Sequence, residues 1–333
     1  MTDGNDRPHP GPGPDHERGE GGMSPMPPDR GAGGGSQWPD LSTFRPGVIP
    51  LCPLRLGEIF GGALRTLRAY PLVLFGVSFL AVGLSQLLAL ALTWSRVQDA
   101  EAITANADEL SPEQAQALLA EAMTVIGITL GLAMLAQLFV TGIATIVASK
   151  AVLGQPVTLA TAWIELKPRL LPLIGLTILV GALVFAGAML LLIPGIWAYV
   201  VLALAAPALV LERAPVVRAM RRSWDLVLHS WWRIFGILVL AGLIAFGISV
   251  VVSMPFEIIG GGADAGTTAG EQAVMSTLGA VLAGTIAYPF IATVHALIYI
   301  DRRIRTEGLA VELARAAGMA PPDAGPPGTP HSW

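Results

Sequence analysis

The sequence predicts an all-α integral membrane protein with six transmembrane helices, and three observations predict it. Charged residues make up only 13% of the chain and hydrophobic ones 53%, whereas a soluble domain carries about a quarter charged residues. Stretches without Asp, Glu, Lys or Arg run over 69–95, 122–149, 170–211, 234–256 and 272–300, each long enough for the ~20 apolar residues that cross a hydrocarbon core. Finally, if the N-terminus lies inside, 19 of the 20 Lys and Arg residues fall on inside segments, leaving only Arg96 outside. The outside loops hold Asp99, Glu101, Asp108, Glu109, Glu113, Glu121, Glu257, Asp264 and Glu271, the asymmetry that membrane insertion favours.

The elements follow in order. Residues 1–48 are Gly/Pro-rich without apolar periodicity, which predicts a disordered cytoplasmic tail; it contains no apolar run of the kind a signal peptide needs. Cys52 is the only cysteine, so no intramolecular disulfide or thiolate zinc site is expected. The membrane domain is placed at 49–305, with spans at about 70–94, 123–148, 171–193, 196–211, 234–254 and 276–300. The third and fourth spans share one uncharged stretch, and "IPG" (Ile193 to Gly195) near its middle marks the turn of a helical hairpin. "SPEQ" (Ser111 to Gln114) reads as a capping box with proline at the first helical position. A helix from there to Ser149 would be roughly 57 Å long. Small-residue pairs (Gly127 with Gly131, Ala182 with Ala186, Ala280 with Gly284) are expected to let helices approach closely. Tyr70, Trp94, Trp197, Tyr199, Trp231, Trp232 and Tyr299 are expected at the headgroup level. Residues 306–333 read as a short helix followed by a disordered tail.

"RAMRRSWDLVLHSWWR" (residues 218–233) sets Val217, Met220, Trp224, Val227 and Trp231 on one helical face and Arg218, Arg221, Arg222, Asp225 and His229 on the other. Such a helix suits the plane of a membrane surface. Basic amphipathic segments also precede the first and third spans. Aligned on Gly76, Gly175 and Gly236, each has a small residue thirteen positions earlier (Ala63, Ala162, Ser223), followed by a large apolar one (Leu64, Trp163, Trp224). The architecture is therefore read as three repeats of cytoplasmic interfacial helix plus transmembrane hairpin. Ten basic residues are candidates for anionic lipid headgroups: Arg65, Arg68, Lys167, Arg169, Arg218, Arg221, Arg222, Arg233, Arg302 and Arg303. The basic face is short and its rings have a membrane to enter, so nucleic acid is not an expected partner.

Three passages carry a resemblance: "IPLCPLRLGEIFGGALRTLR", "PALVLERAPVVRAMRRSWDLVLHSWWRIFGIL" and "YIDRRIRTEGLAVELA". Together they resemble a group of actinobacterial six-span membrane proteins related to the glycerophosphoryl diester phosphodiesterase membrane domain. The likeness covers residues 48–317 and departs at Cys52, where that pattern has a basic residue. It implies a membrane module without the family's soluble catalytic barrel. None of His9, His16, His229, His295 or His331 begins the barrel's His-Arg-Gly motif, so no catalytic residue is carried over.

Glu212, at the end of the fourth span, and Glu58, similarly placed on the first interfacial helix, are expected in structural ion pairs, Glu212 with Arg221 or Arg222. His295 is the one ionisable side chain well inside a span, and Pro289 is expected to kink the same helix and free backbone carbonyls. The expected function is that of a non-enzymatic structural or accessory module of a bacterial inner membrane, both termini cytoplasmic, binding anionic lipid or a membrane or cytoplasmic partner. No metal or cofactor is expected. The bacterial assignment rests on the arginine-rich, alanine- and glycine-rich composition of a GC-rich genome. The alternative is a small-solute or lipid transporter with its site near Pro289 and His295, drawing on Gln86, Gln137, Thr141 and Ser249.

Overall fold

The computed structural model of the protein describes residues 54–105, 111–261 and 267–307. The N-terminal tail, Cys52, Asp108, Glu109, Asp264 and the tail after residue 307 lie outside them. Among the described residues all regular structure is helical, and six helical segments are long and apolar enough to cross a membrane: Pro71–Asp99, Pro112–Val152, Leu159–Leu190, Leu192–Glu212, Trp231–Gly261 and Ala269–Glu307. By length and composition this is a multi-pass membrane protein.

Helix α1 (Leu56–Ala69) begins where Glu58 Oε2 accepts the N–H of Arg55 at 2.6 Å, and it buries Ile59, Gly62, Ala63, Thr66 and Leu67 on one stripe. Helix α2 (Pro71–Ala105) follows after a single residue. Helix α3 (Pro112–Val152) starts at the Ser111 capping box, with Gln114 N–H donating to Ser111 Oγ and Ser111 N–H donating to Gln114 Oε1. Its 41 residues make it ~62 Å long at the usual rise. Helix α4 (Leu159–Leu166) is capped by Thr158, and a short 3₁₀ turn at Lys167–Arg169 leads into α5 (Leu170–Leu190). Helices α6 (Leu192–Leu202) and α7 (Ala205–Glu212) share the fourth candidate span. Then come α8 (Val216–Leu228), α9 (Trp231–Gly261) and α10 (Ala269–Glu307).

Helix α10 is the centre of the bundle. It packs on α1, α2, α3 and α9 and buries Phe290, Leu297, Ile298 and Tyr299 among many others. It runs continuously through Pro289, and Thr293 Oγ1 donates to the Pro289 carbonyl at 2.7 Å. The helix thus continues past the proline, whose missing N–H leaves the Thr285 carbonyl without its i→i−4 donor. Helix α5, by contrast, leaves most of its surface outward.

Some expectations of detail are corrected. The hairpin turns at Leu191, whose backbone is extended (φ −163°, ψ 144°), and Pro194 lies in the first turn of α6, where proline fits a helix. The glycines serve proximity: a Cβ on Gly195 would stand 2.7 Å from the Ala188 nitrogen, and one on Gly187 3.1 Å from the Gly195 Cα. Of the small-residue pairs, Gly284 sits against Val82 of α2, while Gly127 and Gly131 have nothing within 4 Å and Ala182 and Ala186 are exposed. Tyr299, expected at a headgroup, is fully buried. On α8 the inward face is Ala219, Ser223, Leu226 and Val227, and Val217 and Trp224 are exposed. The three aligned segments share that pattern: Ala63, Ala162 and Ser223 are each 0% exposed, and the following Leu64, Trp163 and Trp224 are 43%, 40% and 41% exposed.

The close hairpin contact makes a prediction. Gly195→Ala should cost about 1–3 kcal/mol, the usual result of overpacking. Gly175→Ala, at a position with open space around it, should cost nothing. Thermal unfolding in detergent compares the two directly.

Candidate functional site

The charges gather at one end of the bundle, and two linked clusters organise them. The first centres on Asp301, whose side chain is 1% exposed. It accepts the N–H of Leu54 at 2.7 Å, Arg233 Nη1 at 2.8 Å and Arg305 Nε at 2.9 Å. Arg233 and Arg305 then donate to the carbonyl of Leu54 at 2.7 and 2.8 Å. Both backbone groups of Leu54 are thereby satisfied, and the start of α1 is tied to α9 and α10. A carboxylate so deeply buried is stable only because it is paired and hydrogen-bonded.

The second cluster joins α7, α8 and α10. Glu212 Oε1 accepts Arg222 Nε at 2.8 Å and also the hydroxyl of Tyr299. Arg222 Nη2 bonds Glu307, which in turn holds Arg303 Nε at 2.9 Å. Burial alone would lower the pKa of Arg222, but hydrogen bonds and charge from Glu212 and Glu307 outweigh it and raise that pKa above its ordinary value. The partner of Glu212 is thus Arg222. Glu58 forms no ion pair among the described residues; its carboxylate closes the first turn of α1.

Two arginines complete helix ends. Arg302, 5% exposed, donates Nε to the Leu226 carbonyl at 2.9 Å, and Arg169 Nη1 donates to the Val210 carbonyl. Both carbonyls lie in last turns, which lack partners within their own helices. So five of the ten candidate headgroup residues (Arg169, Arg222, Arg233, Arg302, Arg303) are engaged inside the protein. Arg65, Arg68, Lys167, Arg218 and Arg221 are exposed. On the opposite end, Arg96 pairs with Glu121 at 2.7 Å across α2 and α3.

A separate cavity of about 450 Å³ lies among α3, α5, α6 and α10. Its polar lining is Gln137, Thr141, Thr177, Tyr199, Tyr288 and His295. Gln137 Nε2 donates to Thr141 Oγ1 at 3.3 Å. Among the described residues, Thr177, Tyr199, Tyr288 and His295 make no hydrogen bond. The structure therefore brings Gln137, Thr141 and His295 together as expected for the transport alternative, but not Gln86, Ser249 or Pro289. Sequence reasoning missed Thr177 and Tyr288 and took Tyr199 for a boundary ring. Their signal was polarity in the middle of apolar stretches. No group of three His, Cys, Asp or Glu side chains able to hold a metal occurs among the described residues.

Residues 54–301 match the family model described as Domain of unknown function (DUF7847), and the chain belongs to that family. Neither a curated protein nor a solved structure matches it.

The arginine assignments separate by stability. Arg302→Ala leaves the Leu226 carbonyl buried without its donor and should cost ~1–3 kcal/mol. Arg303→Ala removes one i,i+4 pair of partly exposed side chains, leaves Glu307 its bond to Arg222, and should cost under about 0.5 kcal/mol. Equal melting temperatures for the two variants would contradict the assignment.

Proposed function

We propose that the chain is a non-catalytic module of a bacterial inner membrane that binds anionic lipid and a membrane or cytoplasmic partner through its charged end. One observation carries this reading. Arg68 on α1, Lys167 after α4, and Arg218 and Arg221 on α8 are exposed and outside every ion pair among the described residues. All four stand on segments that lead into a span, where basic side chains meet lipid phosphate on the cytoplasmic side. The shared register of buried small and exposed large residues on those segments supports three repeats, each with an interfacial helix. The same inside-positive distribution supports cytoplasmic termini. The resemblance to the glycerophosphoryl diester phosphodiesterase membrane domain, which lacks catalytic residues in this part, points the same way.

A second reading, transport of a small solute or lipid, is favoured by the polar cavity. Four hydrogen-bonding side chains from three candidate spans face it unpartnered, an arrangement that is costly in hydrocarbon unless water or a ligand completes it.

Each reading has its test. Arg68→Gln, Lys167→Gln and Arg218→Gln combined should weaken binding to phosphatidylglycerol vesicles by roughly a hundredfold, at ~1 kcal/mol per basic residue. Unchanged binding would refute the anionic-lipid reading. For the cavity, native mass spectra of wild-type protein and His295→Ala are compared at matched melting temperature. A co-purifying ligand lost from the variant supports the second reading, and identical ligand content removes it.

A further inference from the structure

We propose that a second, larger groove between the α5–α6 hairpin and α8 holds one phospholipid with a phosphoethanolamine headgroup. The groove encloses about 930 Å³, within the ~300–1,000 Å³ range of small-molecule sites. Its walls are apolar: Leu179 and Leu183 of α5, Val201 of α6, and Val217 and Met220 of α8. It reaches Gly187 and Pro194 beside the hairpin turn. Trp197 and Trp224 meet edge to face within it, ring centroids 5.1 Å apart, and tryptophan prefers the headgroup level of a bilayer.

The polar part of the lining is one cation and one anion, Arg221 and Asp225. They stand one helical turn apart on α8, a spacing at which opposite charges commonly close on each other. Elsewhere in this protein they do: Arg303 pairs with Glu307 and Arg305 with Asp301, both at i,i+4. Arg221 and Asp225 form neither an ion pair nor a hydrogen bond among the described residues. Two unpaired, opposite charges at the edge of an apolar groove complement a zwitterion rather than a plain anion. The guanidinium fits the phosphate, for which its fork of donors is suited. The carboxylate fits a primary ammonium, which has three N–H donors. The walls then take acyl chain, whose burial supplies most of the affinity. A phosphoglycerol headgroup would offer Asp225 only neutral hydroxyls and no cation, and a quaternary amine would offer it no N–H.

This site shares Arg221 with the distributed anionic contacts proposed above, but Arg68, Lys167 and Arg218 do not line it, so the two can be tested separately. The test uses the full chain, delipidated in detergent and exposed to equimolar phosphatidylethanolamine, phosphatidylglycerol and phosphatidylcholine, with bound lipid read by native mass spectrometry. The expected result is one retained phosphatidylethanolamine per chain, at least fivefold preferred over the other two. Arg221→Gln should reduce that retention at least fivefold. Asp225→Asn should keep a lipid but erase the preference. Ala198→Phe, which fills the groove without touching either charge, should abolish retention. Circular dichroism and melting temperature verify that each variant folds, and the Asp225→Asn selectivity readout stands even if Ala198→Phe does not fold. Retention of phosphatidylglycerol over phosphatidylethanolamine by the wild type would overturn the proposal, as would a preference unaltered by Asp225→Asn. Loss of vesicle binding in the Arg68, Lys167 and Arg218 variant with this selectivity intact would separate the two sites.

Discussion

A buried carboxylate governs the charged end of this protein. Asp301 is almost wholly enclosed, and its oxygens collect one backbone N–H and two guanidinium groups. Because an uncompensated charge there would cost several kcal/mol, every partner must be in place together. Those partners come from before the first span, the start of the fifth and the end of the sixth. The interaction therefore does more than add stability. It sets where α1 begins relative to α9 and α10, and with it the segment that carries Arg65 and Arg68.

The rest of the charged end follows the same economy. Glu212, Arg222, Glu307, Arg303 and Tyr299 form one connected network, and Arg302 and Arg169 complete the last turns of neighbouring helices. Arg68, Lys167, Arg218 and Arg221 are exposed and stand outside these networks, and the lipid proposal draws on them. The hairpin of α5 and α6 shows the opposite character. It is lightly packed, with the polar cavity along one side and the larger groove along another.

Much of the fold was legible in the sequence, for physical reasons. Uncharged stretches of bilayer length and the one-sided placement of Lys and Arg mark six spans without reference to packing. The Ser111 box is a local hydrogen-bond pattern, readable from four residues. The hairpin turn was misplaced by three residues because Pro194 and Gly195 were read as a turn, whereas proline opens α6 and glycine permits contact. On α8 the two-faced reading did not separate out the stripe that meets the bundle, which consists of Ala219, Ser223, Leu226 and Val227, while Val217 and Trp224 stay exposed. The site was only half legible. Hydropathy cannot tell an arginine that faces phosphate from one that completes a helix end, as Arg302 does. Nor can it join Leu54 to Asp301 across 247 positions, or foresee that Tyr199 and Tyr288 face one cavity with His295.

The central claim is that Asp301 and its arginines act as one unit to hold the bundle's charged end. A double-mutant cycle on Asp301→Asn and Arg233→Gln, followed by unfolding in detergent, tests it most directly. The account predicts a coupling energy of about 1.5–3 kcal/mol between the two positions, as for close pairs in a shared network. Additive effects, within about 0.5 kcal/mol, would contradict it.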